Sequence, residues 1–410
     1  MIPTTKRDEL AQLRTAYPDF SPFVLLKLSM IWHGVVLSES ALMHLQNEKY
    51  SFGKVEPFDL GAPQRPDAFA MPGPILLRDA TFVYINYGEA YVDPYTVDYD
   101  TDQGLFLLKE DGVVIDSVDF VPRPAFFGKT TSRGTPMEAV AVVRAQKLIL
   151  TAYQGCNFWR GGHQCAFCAF FTGGKGLGEV DVNDIRETVQ EALREPGRFS
   201  ELYLSGGTDF SGDPAFSNEV ERYIRVWQAI GADFATRFPS QLMAPAYTKD
   251  QLQRLYNETK ITSYCPNIEI ADRALFKKLC PGKEKWIGYD AWLRRTVDAV
   301  EVFGRGNVYT QVVAGAELAR PHGFADPEAA LESNFRLCNF FARNGVIFLS
   351  TIWRPHKAAR LGFQPMPPLE YYVKLAKGLH DIRRSYGLVS TDDNYKMCGN
   401  HPDSDLERLD

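Results

Sequence analysis

From residue 146 onward, short apolar segments typical of β-strands alternate with longer segments that have helical apolar spacing. This alternation predicts parallel strands joined by helices, because a parallel crossover is long enough to hold a helix. Chemistry is then expected at the carboxyl ends of the strands. The predicted strands are 147–153, 202–204, 233–237, 261–270, 307–314 and 346–352, and the predicted helices are 182–193, 218–230, 249–256, 289–303, 326–344 and 369–386.

The first 145 residues have a different pattern. Residues 8–17 and 22–45 have helical apolar spacing, with Ser21 as a candidate cap. Strand-forming segments follow at 75–77 and 81–87, and residues 105–115 have the pattern of a hairpin. The sequence therefore predicts an N-terminal α+β accessory region over 1–145. A strand–helix region over 146–386 follows it, and a C-terminal tail over 387–410 is expected to pack on that second region.

Three cysteines, Cys156, Cys165 and Cys168, lie in one short segment after the first predicted strand, with the spacing CX8CX2C. Thiolates are preferred ligands of zinc and of iron–sulfur clusters. A closed structural site of either kind uses four protein ligands, but the next cysteine, Cys265, is far along the chain. Three protein ligands leave one position open for chemistry. A zinc site with His163 as fourth ligand is the alternative.

A strand, a cysteine loop with Phe167 before its last cysteine, and a following helix resemble the radical S-adenosylmethionine (SAM) enzyme superfamily. In that family three cysteines hold a 4Fe–4S cluster, and the amino and carboxylate groups of SAM chelate the open iron. The family's commonest motif has three residues between the first two cysteines, whereas this chain has eight. The resemblance implies a partial (β/α)6 barrel over about residues 146–386, and it implies Phe167 as a cofactor-binding residue.

The resemblance also implies roles for residues at the other strand ends. Ser205, Gly206 and Gly207 resemble the glycine-glycine-glutamate element, whose backbone binds the amino group of SAM. The family's glutamate is absent, and Thr208 and Asp209 stand in its place, so only the backbone role carries over. Alternation along the strand places Asn267 and Glu269 on one face. The family often has a polar residue there against the ribose or methionine part of SAM.

Gly315 and Glu317 resemble the family's glycine-x-glutamate element beside the adenine, and Trp353 is a candidate for the adenine pocket. The segment from Glu269 through Cys280-Pro281-Gly282-Lys283 to Glu317 resembles the biotin-synthase-related branch. Arg354 and His356 are candidate catalytic residues, as ligands of a substrate carboxylate or in proton transfer. Arg237, at the end of the third predicted strand, is read in the same way, with a structural salt bridge as the alternative for each.

The activity implied by the resemblance is reductive cleavage of SAM to a 5′-deoxyadenosyl radical, which abstracts hydrogen from a small-molecule substrate. The reaction would be a rearrangement, a carbon–carbon cleavage or a group transfer, with a donor such as flavodoxin or ferredoxin supplying the electron. Sulfur insertion is an alternative that needs a second cluster. The remaining cysteines, Cys265, Cys280, Cys338 and Cys398, form no close pair in sequence. Cleavage of a different SAM bond, or a non-catalytic iron–sulfur or zinc protein, are further alternatives.

Charge and composition limit the kinds of partner and the cellular location expected for this chain. The net charge of −6, with acids and bases interspersed, gives no basic surface for nucleic acid. The apolar stretch 23–32 is interrupted by Lys27 and is too short to span a bilayer, so no membrane partner is expected. Seven cysteines, three of them in one loop, favour a reducing compartment over a disulfide framework. The cytoplasm is therefore the expected location.

Overall fold

The computed structural model describes residues 5–45, 52–53, 71–72, 74–84, 93–144, 146–169, 178–389 and 401–409. In the N-terminal part the described residues form helices, one mainly antiparallel six-stranded sheet and a separate pair of short antiparallel strands. The helices are α1 (Lys6–Ala16), α2 (Pro22–His33) and α3 (Glu39–Leu45). The strands are β1 (Val35–Leu37), β2 (Phe52–Gly53), β3 (Met71–Pro72), β4 (Ile75–Leu77), β5 (Phe82–Val83), β6 (Tyr95–Asp100), β7 (Leu105–Glu110) and β8 (Val113–Phe120).

The N-terminal sheet has the order β1-β6-β7-β8-β4-β5, in which only the β1–β6 pairing is parallel. The predicted hairpin is confirmed: Asp111 and Gly112 both have positive φ and join β7 to β8, as a two-residue hairpin turn requires. The prediction of helical structure over 22–45 was wrong for the residues between α2 and α3, where the chain forms the short strand β1. Gly34, with φ of 79°, ends α2, and the residues after it pair with β6.

The rest of the chain alternates strands with helices. The strands are β9 (Ala141–Arg144), β10 (Lys147–Thr151), β11 (Tyr153–Gln154), β12 (Gly178–Glu179), β13 (Glu201–Ser205), β14 (Ser240–Met243), β15 (Ser263–Cys265), β16 (Val308–Ala314) and β17 (Val346–Ile352). The helices are α4 (Met137–Val140), α5 (Asn157–Arg160), α6 (Val182–Ala192), α7 (Ser217–Gly231), α8 (Lys249–Glu258), α9 (Arg273–Leu279), α10 (Pro281–Trp286), α11 (Tyr289–Asp298), α12 (Val300–Phe303), α13 (Pro327–Arg343), α14 (Leu369–Ser385) and α15 (Pro402–Asp405), with 3-10 helices at Ala316–Leu318 and Leu406–Leu409.

The large sheet has the order β17-β16-β15-β14-β13-β10-β9. Strands β10, β13, β14, β15, β16 and β17 are parallel neighbours in chain order, and β9 is antiparallel at the edge. Buried side chains of the strands and of the helices that follow them form the core, including Leu150, Trp227 and Phe341. The mixed α/β class predicted from the alternation is confirmed. Because the strands are parallel, their carboxyl ends lie along one edge of the sheet.

One predicted strand was wrong. Residues 233–237 form no strand and lie just before β14, which is the third strand of the parallel series. Phe234 stacks on Phe238, with ring centroids 4.0 Å apart, so these apolar residues close a turn. Arg237 donates to backbone carbonyls at the end of α8 and just after it, including that of Tyr256 at 2.9 Å. Arg237 is thus a structural residue before the strand and does not lie at its carboxyl end.

The C-terminal segment 401–409 packs against the edge strand β17. Asp403 accepts hydrogen bonds from the backbone and the hydroxyl of Ser350, at 3.1 and 2.8 Å, and pairs with Arg383 at 2.6 Å. Asp405 pairs with Lys27 of α2 at 2.6 Å. These charged side chains are fully buried and each has an ionic partner, and Asp403 also accepts a hydrogen bond from the backbone of the edge strand.

None of the helices in the described part of the chain combines the length and the apolar character that crossing a bilayer requires.

Candidate functional site

The cysteine segment begins directly after the first strand of the parallel series. Strand β10 ends at Thr151, β11 follows, and Cys156 is the N-terminal cap residue of the short helix α5. The backbone N–H of Asn157 donates to the carbonyl of Thr208 at 2.7 Å. The cysteine segment is therefore fixed against the residues that follow β13, the neighbouring strand.

Gly207 allows this close approach. A Cβ atom at position 207 would overlap the carbonyl group of Gly155 and would lie 2.7 Å from Cβ of Cys156. At Gly206 an added Cβ would lie 3.2 Å from the carbonyl oxygen of Tyr153, and Gly206 itself is exposed. The predicted glycine element and the cysteine segment are thus in van der Waals contact at one edge of the sheet, and each glycine is needed for a different approach.

A network of ion pairs, which was not predicted from the sequence, stabilises the contact between the glycine element and the cysteine segment. Asp209 accepts a hydrogen bond from the side-chain amide of Asn157 at 2.7 Å and pairs with Arg222 of α7 at 2.9 Å. Arg222 also pairs with Glu179 of β12 at 2.8 Å. Burial alone would raise the pKa of Asp209, but hydrogen bonds from Ser211 and Arg222 lower it, so the carboxylate is charged.

Glu219 is a fully buried carboxyl beneath the same turn. It accepts a hydrogen bond from the backbone N–H of Asp209 at 2.5 Å and another from the hydroxyl of Tyr247. Burial raises the pKa of Glu219 to about 8, against the lowering effect of the Tyr247 hydrogen bond. Glu219 is therefore mostly protonated at neutral pH. No local pattern points to it, since its partners come from two other segments.

Replacing Glu219 with glutamine is expected to flatten the pH dependence of stability between about pH 5 and pH 8. Below the ordinary pKa of 4.5 the carboxyl is protonated in both states. Between that value and about 8 only the folded state keeps the proton, so the free energy of unfolding falls as the pH rises. The total change is on the order of a few kcal/mol, at about 1.4 kcal/mol per pKa unit. Urea unfolding at several pH values measures this slope.

Glu221→Gln, on the same helix, is the matched control. Its carboxyl is exposed and its hydrogen bond to Arg254 lowers its pKa, so the slope above about pH 5 should stay as in the unchanged protein. An unaltered slope in Glu219→Gln would show that this carboxyl does not titrate in that range.

Cys165 lies beside a second group of residues that the sequence did not predict as a unit. Its thiol is hydrogen-bonded to that of Cys280, which is fully buried at the start of α10. Lys283 of the same helix pairs with Glu269 at 2.8 Å and donates to the carbonyl of Asn267 at 2.5 Å. The thiols, the buried ammonium and the carboxylate therefore form one polar group at the end of β15.

The environments of the first two cysteines differ. The hydrogen bond from Cys280, together with the nearby positive charge of Lys283, holds the pKa of Cys165 below its usual range despite burial. Burial raises the pKa of Cys156 to about 11, and the neighbouring Cys165 adds to this. Burial would lower the pKa of Lys283, but Glu269 and the two thiols raise it overall, so the ammonium stays charged.

Asn267 and Glu269 lie after the end of β15, so the alternation of that strand does not set their faces. Both are bonded to Lys283, and Glu269 pairs across to Val312 of β16. Glu269 has a positive φ of 69°, which is uncommon outside glycine. The thiol of Cys265 donates to the side-chain oxygen of Asn267 at 3.0 Å. Glu269 is thus held in a salt bridge with Lys283, and its carboxylate remains partly exposed.

Gly315 and Glu317 follow β16 in a tight turn. Gly315 has φ of 100°, and a Cβ there would lie 2.7 Å from the hydroxyl of Tyr372. Glu317 accepts hydrogen bonds from the Gly315 backbone at 2.7 Å and the Asn334 side chain at 2.9 Å, as well as from the hydroxyl of Tyr371. Glu317 is buried, and burial raises its pKa. Its contacts hold the turn against α13 and α14.

Trp353, Arg354 and His356 follow β17. The indole Nε1 of Trp353 and Nε2 of His356 are buried atoms without a hydrogen-bond partner among the described residues. Burial lowers the pKa of His356, which favours the neutral imidazole at pH 7. Arg354 donates to the carbonyl of Tyr84 and so joins the end of β17 to the N-terminal part.

The donor set of three thiols fits an iron–sulfur cluster by its chemistry. All three cysteines are partly exposed, and Cys156 and Cys165 are close enough to interact electrostatically. Within the described ranges, no three His, Cys, Asp or Glu side chains form a preassembled metal site. His163, the alternative zinc ligand, has its Nε2 atom 3.2 Å from Nζ of Lys285. Phe167 is half-buried and packs on the core beside the loop.

Comparison with known proteins gives distant similarities. No protein-family model matches the chain. It is 24% identical over 199 residues to the protein named bacteriochlorophyllide c C-7(1)-hydroxylase from Chlorobaculum limnaeum, a match of 44% of this chain and 49% of that protein. The chain thus spans about half the length of the curated relative that it matches.

Three solved structures resemble the fold. HydG, a maturase of the FeFe-hydrogenase, has a TM-score of 0.44 with 15% identity over 60% of this chain and 52% of its own. Methylornithine synthase (PylB) has a TM-score of 0.42 with 14% identity over 60% and 70%. A radical SAM methyltransferase from Sphaerobacter thermophilus has a TM-score of 0.42 with 18% identity over 76% and 82%. At scores below 0.5, the roles of residues in this chain have to come from its own sequence and geometry.

Proposed function

We propose that this chain is a radical SAM enzyme that acts on a small-molecule substrate. The observation that carries the proposal is the contact between two segments far apart in sequence: Gly207, after β13, packs against Gly155 and Cys156, after β10. A cluster and the methionine part of SAM have to meet at one place, and this contact brings their predicted binding elements together. A protein that only stored or carried a cluster would not need the glycine element there.

In this proposal Cys156, Cys165 and Cys168 hold a 4Fe–4S cluster, and the backbone of Ser205, Gly206 and Gly207 binds the amino group of SAM. When bound, the two would supply reductive cleavage of SAM to a 5′-deoxyadenosyl radical. Gly206 has an exposed backbone without a side chain, so a ligand's ammonium group can approach it closely. Lys283 holds a positive charge beside Cys165, which favours the thiolate that binds iron.

The ends of β15, β16 and β17 would hold the rest of SAM and the substrate. Glu269 offers a partly exposed carboxylate to ribose hydroxyls if its bond to Lys283 is shared or exchanged. Gly315 lets the turn after β16 pack closely against Tyr372, with Glu317 fixing that turn from behind, and the turn would support the adenine. The unpaired buried nitrogens of Trp353 and His356 support ligand binding after β17, since buried polar atoms normally have partners. Because Nδ1 of His356 accepts the backbone N–H of Ala358, its neutral ring carries the hydrogen on Nε2 and would donate it to a ligand, and Arg354 would face an anionic group of the substrate.

The test is made without oxygen, on the full chain reconstituted with iron and sulfide. SAM and dithionite, standing in for a flavodoxin or ferredoxin, are added, and 5′-deoxyadenosine is measured by mass spectrometry. Its formation in the complete mixture, and not without SAM or reductant, is the expected result. A fully loaded cluster with tight SAM binding and a different SAM-derived product would replace the proposal with cleavage of another bond. A loaded protein that does not bind SAM would favour the non-catalytic iron–sulfur alternative.

A further inference from the structure

The segment around Cys165 is paired with the segment around Cys280. The backbone N–H of Gly282 donates to the carbonyl of His163 at 3.0 Å, and the N–H of Ala166 donates to the carbonyl of Leu279 at 2.7 Å. The donors and acceptors of these two bonds flank Cys165 on one segment and Cys280 on the other, so the bonds bring the two cysteines side by side.

Other contacts hold this pairing in place. Gly282 is buried so tightly that a Cβ there would lie 2.6 Å from the Phe158 ring and 2.7 Å from the carbonyl oxygen of His163. On the other side, the N–H of Leu361 donates to the carbonyl of Ala166 at 2.9 Å. The two segments are thus fixed at their closest approach, and the thiols of Cys165 and Cys280 are already hydrogen-bonded to each other.

The two cysteines differ in their exposure to solvent. Cys165 is partly exposed, whereas Cys280 is 0% exposed. A small reagent reaches Cys165 first, and Cys280 is positioned to react only with what is attached to Cys165. This is the arrangement of an attacking and a resolving cysteine.

We propose that, in the cluster-free protein, Cys165 and Cys280 form a reversible disulfide that withholds Cys165 from cluster assembly. The oxidant is a small-molecule disulfide such as oxidised glutathione. The Cys165 thiolate attacks one of its sulfurs, which forms a mixed disulfide and releases one glutathione thiolate. The Cys280 thiol loses its proton and attacks the Cys165 sulfur, which releases the second. Two protein thiols are oxidised, one glutathione disulfide is reduced to two thiols, and the two protein protons are transferred to them.

The disulfide itself follows from the contacts above, and only its effect on cluster assembly rests on the proposed function. The cluster-free full chain is treated anaerobically with oxidised glutathione, digested without reduction and analysed by mass spectrometry. A peptide pair joined through Cys165 and Cys280, which separates on reduction, is the expected result. Iron incorporation should fall by about tenfold or more in the oxidised protein and return after reduction.

Two variants sharpen the test. In Cys280→Ser the reaction should stop at glutathione attached to Cys165, whereas Cys338→Ser, which removes a buried thiol on α13, should form the same disulfide as the unchanged chain. Glutathione remaining on Cys165 in the unchanged chain, or a bond from Cys165 to Cys156 or Cys168, would overturn the proposal. If the disulfide forms but the reduced protein binds no cluster, the proposed function fails alone. If the reduced protein cleaves SAM but no such disulfide forms, this inference fails alone.

Discussion

The variant Cys165→Ala is expected to lose its cluster and its SAM cleavage completely while remaining folded. Removing one of three thiolates leaves too few protein ligands for a cluster that is already one short of the usual four. The side chain is partly exposed and gives up its hydrogen bond to the Cys280 thiol, so its loss should cost about 1 kcal/mol of stability. Iron and sulfide content, 5′-deoxyadenosine formation and thermal unfolding separate the two effects.

Cys338→Ala is the matched control because it removes the same atom from a fully buried site on α13. Here the loss of packing should cost about 1–3 kcal/mol, and iron content should stay at the level of the unchanged chain. Cys165→Ala should therefore lose more iron but less stability than Cys338→Ala. That combination is expected only if Cys165 is a ligand of the cluster. Full iron content and turnover in Cys165→Ala would remove Cys165 from the proposed site.

The sequence predicted the parts of the site that depend on local pattern. The cysteine segment and Ser205-Gly206-Gly207 each follow a strand recognised from its apolar residues, and parallel pairing of adjacent strands β10 and β13 brings their ends together. The strand over 233–237 was mistaken because its apolar and β-favouring residues serve a turn. The true strand β14 includes polar Ser240 and Gln241, which are buried and whose place is set by tertiary contacts.

The supporting residues could not be predicted because their partners are remote in sequence. Glu219 looks like any helix-surface glutamate until Tyr247 and the Asp209 backbone surround it. The role of Cys280 likewise depends on its contact with Cys165, which lies more than one hundred residues earlier in the chain. One residue in the sequence hinted at this pairing, namely the glycine two residues after Cys280. At that position Phe158 and His163, from the cysteine segment, approach too closely for a side chain.

Gly207→Ala is expected to lower SAM affinity and cluster loading by at least about tenfold, with a loss of stability of about 1–3 kcal/mol. The backbone at 207 is not in the left-handed region, so alanine itself is tolerated there and the effect is steric. The added methyl overlaps the carbonyl of Gly155 and lies 2.7 Å from Cβ of Cys156, so it pushes the first cysteine away from the glycine element. Equilibrium SAM binding and iron content, measured beside urea unfolding, report the displacement.

A graded series distinguishes displacement from general damage. An added Cβ at Gly206 would lie 3.2 Å from its nearest neighbour, and one at Gly178 in β12 would meet nothing within 4 Å. SAM affinity should therefore fall most in Gly207→Ala, less in Gly206→Ala and not at all in Gly178→Ala. Equal affinity in Gly207→Ala and Gly178→Ala would mean that the contact between the glycine element and the cysteine segment does not position SAM. The proposed function would then lose the observation on which it rests.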